Sequence, residues 1–248
     1  EGRKINTLTR RIAAISQVHQ LTGHPSPTTH ATVHTVLAGI RRTHGKRPQG
    51  VAPFLVEDIR AMVATLPSTL LGVRDRALIL LGFAGAFRRS ELVALDVADL
   101  AWTEDGLIIT LRRSKTDPEG EGRLVGIPYG THDCTCPVHA LRAWLDGAGI
   151  TAGAVFRGMN RHGQQRTARI SSRAVADIIK RTAQSAGLDP TRYSGHSLRA
   201  GHATTAARAG AHERVIMAQT GHRSERTVRR YIRLGELFRE NSANTLGL

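Results

Sequence analysis

Apolar residues at Ile5, Leu8, Ile12, Ile15 and Val18 recur every three or four positions, and Gly23 follows them. The chain therefore opens with an amphipathic helix over 5–21. The same spacing at Val33, Val36, Leu37 and Ile40 predicts a second helix from about Thr29, ended by Gly45. Periodicity then stops, and the stretch GKRPQGVAP, residues 45–53, mixes glycine, proline and charge in the manner of a linker. FLVEDIRAMVATLP and VRDRALILLGFAGAF resume the helical pattern, the second apolar enough to be a central core helix. From Leu107 the period changes. GLIITLRRSKTDPEGEGRLVGIP holds a β-rich run, a turn of Asp, Pro, Glu and Gly, and a second short run, which is the pattern of a β-hairpin. Helices return at 137–146, 171–186, 197–209, 212–220 and 224–233.

The predicted fold class is mainly α (α+β). It comprises a helical N-terminal unit over residues 1–47, a linker over 48–53, and a mostly helical C-terminal domain over 54–248 with one small antiparallel β-sheet. Two helices are too few to bury a core, so the N-terminal unit reads as part of a larger one.

Charge narrows the partner. Lys and Arg number 35 against 20 Asp and Glu, a net charge of +15 with an isoelectric point near 11.3, and such an excess points to a polyanion, nucleic acid first. No apolar run is long enough to span a bilayer, and the opening EGRKINTLTRR has no apolar signal core, so the expectation is a soluble cytoplasmic protein. Only Cys134 and Cys136 are present, which suits a reducing compartment. HDCTCPVHAL brings His132, Cys134, Cys136 and His139 together, but the spacing is wrong for zinc and the segment reads as a loop entering a helix. No metal and no other cofactor is expected.

Four short stretches carry candidate chemistry. In SGHSLRAGHATTAARAG, His196 and Arg199 lie three apart on one helical face near a helix start, where free N–H groups favour an anion. Taken alone, the plainer reading of a cap and a surface charge wins, because that is the commoner use of a His and an Arg near a helix start. GAFRRSEL places Arg88 and Glu91 three apart just after the most apolar helix, either as site residues or as a structural pair. GHRSERTVRRYIR sets His222 after a glycine and Tyr231 nine residues later on a helix crowded with Arg226, Arg229, Arg230 and Arg233; the plain alternative is a tyrosine with a packed ring and an exposed hydroxyl. Lys115 in RRSKTD stands beside the hairpin turn, as a site residue or as a solvated lysine. His202 reads better as a satisfied structural histidine.

In this order, Arg88-x-x-Glu91, Lys115 by a hairpin, His196-x-x-Arg199 and Gly221-His222 followed by Tyr231 resemble the signature of the tyrosine recombinases, the phage integrase family, over residues from about 54 to 240. The wording around His196 is most like the Cre branch of that family. One departure is Ala86-Phe87 where the family commonly has Gly-Leu, and alignment on Ser90-Glu91-Leu92 makes Arg88 rather than Arg89 the signature arginine.

The resemblance implies a site-specific DNA recombinase that cuts and rejoins strands through a 3′-phosphotyrosyl bond without metal or ATP. The chemistry suits the residue types. Arg88 and Arg199 offer planar forks that match the non-bridging phosphate oxygens. Tyr231 is the nucleophile, a phenol with an ordinary pKa near 10 that needs a base, here His196. Lys115 can protonate the leaving 5′ oxygen, which a guanidinium cannot. His222 donating to a phosphate oxygen and Glu91 supporting the cations are implied by the resemblance alone. So is assembly as a homo-tetramer on paired double-stranded DNA sites, with the tail LGELFRENSANTLGL docking on a neighbour or on its own domain. Arg41, Arg42, Lys46 and Arg47 near the linker would add DNA contacts from the N-terminal core-binding unit, the other jaw of a clamp. Two alternatives stay open: a catalytically silent DNA-binding or architectural protein on the same scaffold, and a type IB topoisomerase-like enzyme.

Overall fold

The computed structural model of the chain describes residues 5–45, 51–112, 122–160, 162–222 and 224–235, with 243 and 246 singly. They belong to two compact units, Glu1–Gly50 and Val51–Leu248, which divide within the stretch read as a linker.

In the first unit α1 spans Ile5–Leu21 and α2 spans Ala31–His44. The second helix begins later than its periodicity suggests because Pro27–Thr29 form a separate 3-10 turn. Ser26 caps that turn, and the His30 ring accepts the Thr32 N–H at 3.3 Å to start α2. No residue of either helix is buried, so Ile15, Val18, Leu21 and Val36 leave an apolar stripe open.

The second unit is built around α4, Leu70–Ala84. Thr69 caps it, and it ends where Ala86 takes a left-handed φ of +49°, three residues short of the helical pattern in the sequence. Apolar all round from Ala77 to Leu81, α4 is enclosed by neighbours, α6 (Pro137–Gly147) and α8 (His196–Arg208) among them. From α6 the fully buried Trp144 donates its Nε1–H to the Val155 carbonyl at 2.8 Å. From α8 small residues allow close approach: a Cβ at Gly201 would stand 2.0 Å from the Phe54 carbonyl oxygen. α3 (Val56–Ala64), α5 (Arg89–Ala94) and α7 (Ser172–Ser185) complete the main core, and Arg181 of α7 reaches the buried Asp75 of α4 at 2.5 Å.

The expected hairpin is present, as β2 (Gly106–Leu111) against β3 (Arg123–Pro128), with Leu111 opposite Arg123. It is not the whole of the β-structure. β1 (Leu100–Trp102) adds a third antiparallel strand, and β4 (Arg157–Met159) pairs with β5 (Gln165–Arg169) in a second sheet. Instead of one small sheet there are two, because strands of three to five residues with none buried show no alternation to read. α9 (Glu213–Thr220) and α10 (Glu225–Gly235) close the unit on a smaller cluster of Ala203, Ala207, Ile216, Val228 and Ile232. Among the described residues no helix is long and apolar enough to cross a membrane.

Candidate active site

α8 starts on a rigid footing. Tyr193 stacks on Phe54 with ring centroids 4.1 Å apart, the Ser194 N–H donates to the buried Ser197 Oγ at 3.0 Å, and the His196 N–H donates to Ser194 Oγ at 3.2 Å. One turn on, Arg199 points into the protein and is 1% exposed. Its Nη1 donates to the Ala86 carbonyl at 2.8 Å, while Nη2 is buried with no hydrogen-bond partner among the described residues. Burial first, then the Arg88 charge, lower its pKa to about 10, with Glu91 opposing. It still carries its charge at neutral pH.

Arg88 sits at the turn between α4 and α5. Its N–H donates to Glu91 Oε2 at 2.8 Å and its Nη1 to Oε1 at 2.5 Å, so the buried carboxylate holds both the helix start and the guanidinium. Arg89 runs along Gly195 at the start of α8, its Nη1 reaching the Ser172 carbonyl at 3.4 Å.

α10 is amphipathic, and burying Val228 and Ile232 against α8 turns Tyr231 toward the start of that helix. The Tyr231 hydroxyl stands 2.9 Å from His196 Nε2. His222 follows Gly221, which ends α9 in the left-handed conformation at φ +63°, and its ring centroid is 6.2 Å from that of Tyr231. Both histidines are held toward the neutral form. Partial burial, then Arg199, Arg88 and Arg89, lower the pKa of His196; burial, then Arg199, Arg88, His196 and Arg123, take His222 down to about 3.

The structure thus brings together Arg88, Glu91, His196, Arg199, His222 and Tyr231 from four places in the chain. Lys115 lies outside the described residues, as do Lys46 and Arg47. Arg41 and Arg42 lie exposed in the last turn of α2. His202 has its pKa lowered by burial and packs edge-on to Phe83 at 6.1 Å, as a structural residue would. Buried Cys136 caps α6 with its sulfur, while Cys134 is exposed.

Sequence reasoning missed two neighbours of this cluster. Arg123, at the start of β3, donates from Nη1 to the Ala218 and Gln219 carbonyls at 3.2 and 3.1 Å and so caps α9 just before His222. Nothing in GEGRLVGIP sets it apart from the other arginines. Thr220 bonds His222 itself, and only its place two residues earlier in the sequence hints at this.

The guanidinium groups of Arg88, Arg199 and Arg123 around two neutral imidazoles, one of them bonded to the tyrosine hydroxyl, form a site that can attract an anion and take a proton from the phenol. Residues 54–236 match the phage integrase family. Over 247 residues, 98% of this chain and 72% of the relative, the sequence is 41% identical to an integrase/recombinase xerD homolog of Selenomonas ruminantium.

The chain belongs to the phage integrase family of tyrosine recombinases.

Within that family, tyrosine recombinase XerC of Pelotomaculum thermopropionicum is 33% identical over 175 residues, 68% of this chain and 53% of the relative. Recombinase cre of Escherichia phage P1 is 23% identical over 251 residues, 94% of this chain and 71% of the relative. Cre is thus the least identical of these three, and the likeness to it is a distant one. The integrase fold is shared with a XerH site-specific recombinase bound to palindromic difH substrate, at a TM-score of 0.64 and 18% identity over 85% of this chain and 57% of that one. It is shared also with a lambda integrase dimer bound to a COC′ core site, at a TM-score of 0.56 and 15% identity over 94% and 66%. The chain spans between about half and three quarters of the length of these relatives.

Proposed function

We propose that this integrase-family chain cuts and rejoins DNA at specific sites through a 3′-phosphotyrosyl intermediate on Tyr231. The observation that carries the reading is the 2.9 Å bond between the Tyr231 hydroxyl and His196 Nε2 beside the guanidinium groups of Arg88 and Arg199. Tyr231 Oη bonds to phosphorus, the bond from phosphorus to the 5′ oxygen breaks, and the phenol proton passes to His196. Lys115 gives the leaving 5′ oxygen its proton. Arg88, held by Glu91, and Arg199 stabilise the charge on the non-bridging oxygens, and His222 contributes on the same side. Attack by the 5′-hydroxyl of another strand reverses the steps. The phosphotyrosyl bond keeps the energy of the broken linkage, so resealing needs neither ATP nor a metal ion.

The partner in this reading is double-stranded DNA, supported by the +15 net charge. Residues 1–47, with Arg41, Arg42, Lys46 and Arg47, act as a core-binding unit, 48–53 as a linker and 54–248 as the catalytic domain. A homo-tetramer forms on paired sites, and the protein works in the cytoplasm on the nucleoid.

The test is a suicide DNA substrate built on a site recovered from bound DNA, nicked so that the released fragment diffuses away. A covalent adduct that disappears in Tyr231→Phe is the expected result. An adduct that persists in the variant refutes the assignment; binding with no adduct identifies a silent DNA-binding protein, and relaxation of supercoiled DNA without paired sites a topoisomerase.

A further inference from the structure

The side chain two residues before His222 decides what its ring can do. Thr220 ends α9 and is fully buried, with its hydroxyl 2.6 Å from the Ile216 carbonyl oxygen and 2.7 Å from His222 Nδ1. A carbonyl only accepts, and a threonine hydroxyl has a single proton to give. The short contact to Ile216 uses that proton, so the hydroxyl oxygen meets the ring with a lone pair. A hydrogen bond at that distance then requires the proton to be on Nδ1, and in the neutral ring Nε2 carries none.

We propose that Thr220 is a positioning residue that fixes His222 as the Nδ1–H tautomer, so that Nε2 becomes a donor to phosphate only when the ring takes up a second proton. The tautomer stands on the geometry alone; the consequence for phosphate rests on the function proposed above.

The surroundings decide when that second proton arrives. Arg199 and His196 face the ring from α8, Arg88 from the start of α5, Arg123 from β3 and Tyr231 from α10, while Glu213 and Glu225 line the cavity on its open side with His212 and Arg214. The cations keep the free ring neutral. A phosphate anion among the same guanidinium groups reverses the local balance and favours the imidazolium, so DNA binding and proton uptake at His222 are coupled. Nε2 is an acceptor in the free protein and a donor in the loaded one, while Nδ1–H donates to Thr220 in both.

Nitrogen NMR of the His222 imidazole in the full chain, free of DNA and assigned with His222→Gln, tests the tautomer. The expected spectrum has a protonated Nδ1 and a lone pair on Nε2, retained in Thr220→Ser and lost in Thr220→Val, which fills the same space without an acceptor. An Nε2–H ring in the unaltered protein, or an unchanged spectrum in Thr220→Val, overturns the proposal. If the valine variant does not fold, the unaltered and serine spectra decide. On a suicide substrate, adduct formation should fall by up to about tenfold per pH unit above the ring's pKa, the slope of one required proton, and Thr220→Val should flatten that profile. A profile identical in both proteins overturns the coupling. Absence of any adduct overturns the function proposed above and leaves the spectrum to decide the tautomer.

Discussion

Lowering the pH should destabilise the free protein through His222. The folded ring has a pKa of about 3, set by burial and by Arg199, Arg88, His196 and Arg123, against an ordinary 6.5 in the unfolded chain. Between those values the unfolded chain binds a proton that the folded one does not, so stability is full above pH 6.5 and is lost as the pH falls toward 3. At about 1.4 kcal/mol per unit the whole separation corresponds to roughly 5 kcal/mol. The ring is partly exposed, and solvent screening brings this to ~2 kcal/mol, of which ~1 kcal/mol is lost between pH 6.5 and pH 5. His196 and His202 have their pKa values moved the same way, so the unaltered protein alone does not isolate the effect. The assay is urea unfolding of the unaltered protein and of His222→Gln at pH 7.5, 6.5, 5.5 and 5.0. The difference between the two stabilities should narrow or change sign in favour of the glutamine protein by ~1 kcal/mol toward pH 5. Parallel curves, or a histidine protein that gains on the variant in acid, would refute the idea that this cluster repels a proton.

Three further outcomes follow from the same geometry. Arg199→Lys keeps the charge and loses the planar fork, so single-turnover adduct formation should fall by ~10² or more while the circular dichroism spectrum is unchanged. Trp144→Phe leaves the buried Val155 carbonyl without its donor, a cost of ~1–3 kcal/mol. At roughly 2–4 °C per kcal/mol for a chain of this size, a thermal melt should show a clear drop. Binding to duplex DNA, measured by fluorescence anisotropy from 50 to 300 mM salt, should weaken linearly on a log–log plot, with a slope reduced by about one for each lost phosphate contact when Arg41 or Arg42 becomes alanine.

Much of the local structure was legible. The period of α1 gave bounds that agree with the observed Ile5–Leu21, and the hairpin announced itself by a change of period and a turn sequence. Two further strand pairings escaped because β1, β4 and β5 are short and bury no residue, so their partners, not their side-chain pattern, make them strands. The end of α4 was misread because Ala86 adopts a backbone conformation that alanine disfavours, tolerated where its carbonyl holds Arg199. Arg123 and Thr220 could not be singled out, since an arginine at a strand start and a threonine at a helix end have many ordinary uses.

By itself the chain determines everything that depends on neighbours within a turn or two: the helical periods, the pairing of Arg88 with Glu91, and His196 and Arg199 on one face. Spacing and backbone geometry suffice for those. Packing decided the rest. Arg199 meets the carbonyl of Ala86 across 113 positions, and His196 meets Tyr231 across 35. Both contacts exist because burial of α4 and of the Val228–Ile232 face sets the helices at one distance and one rotation. Which nitrogen of His222 carries its proton is settled at the same level, by a hydroxyl whose own proton is already committed to a helix carbonyl.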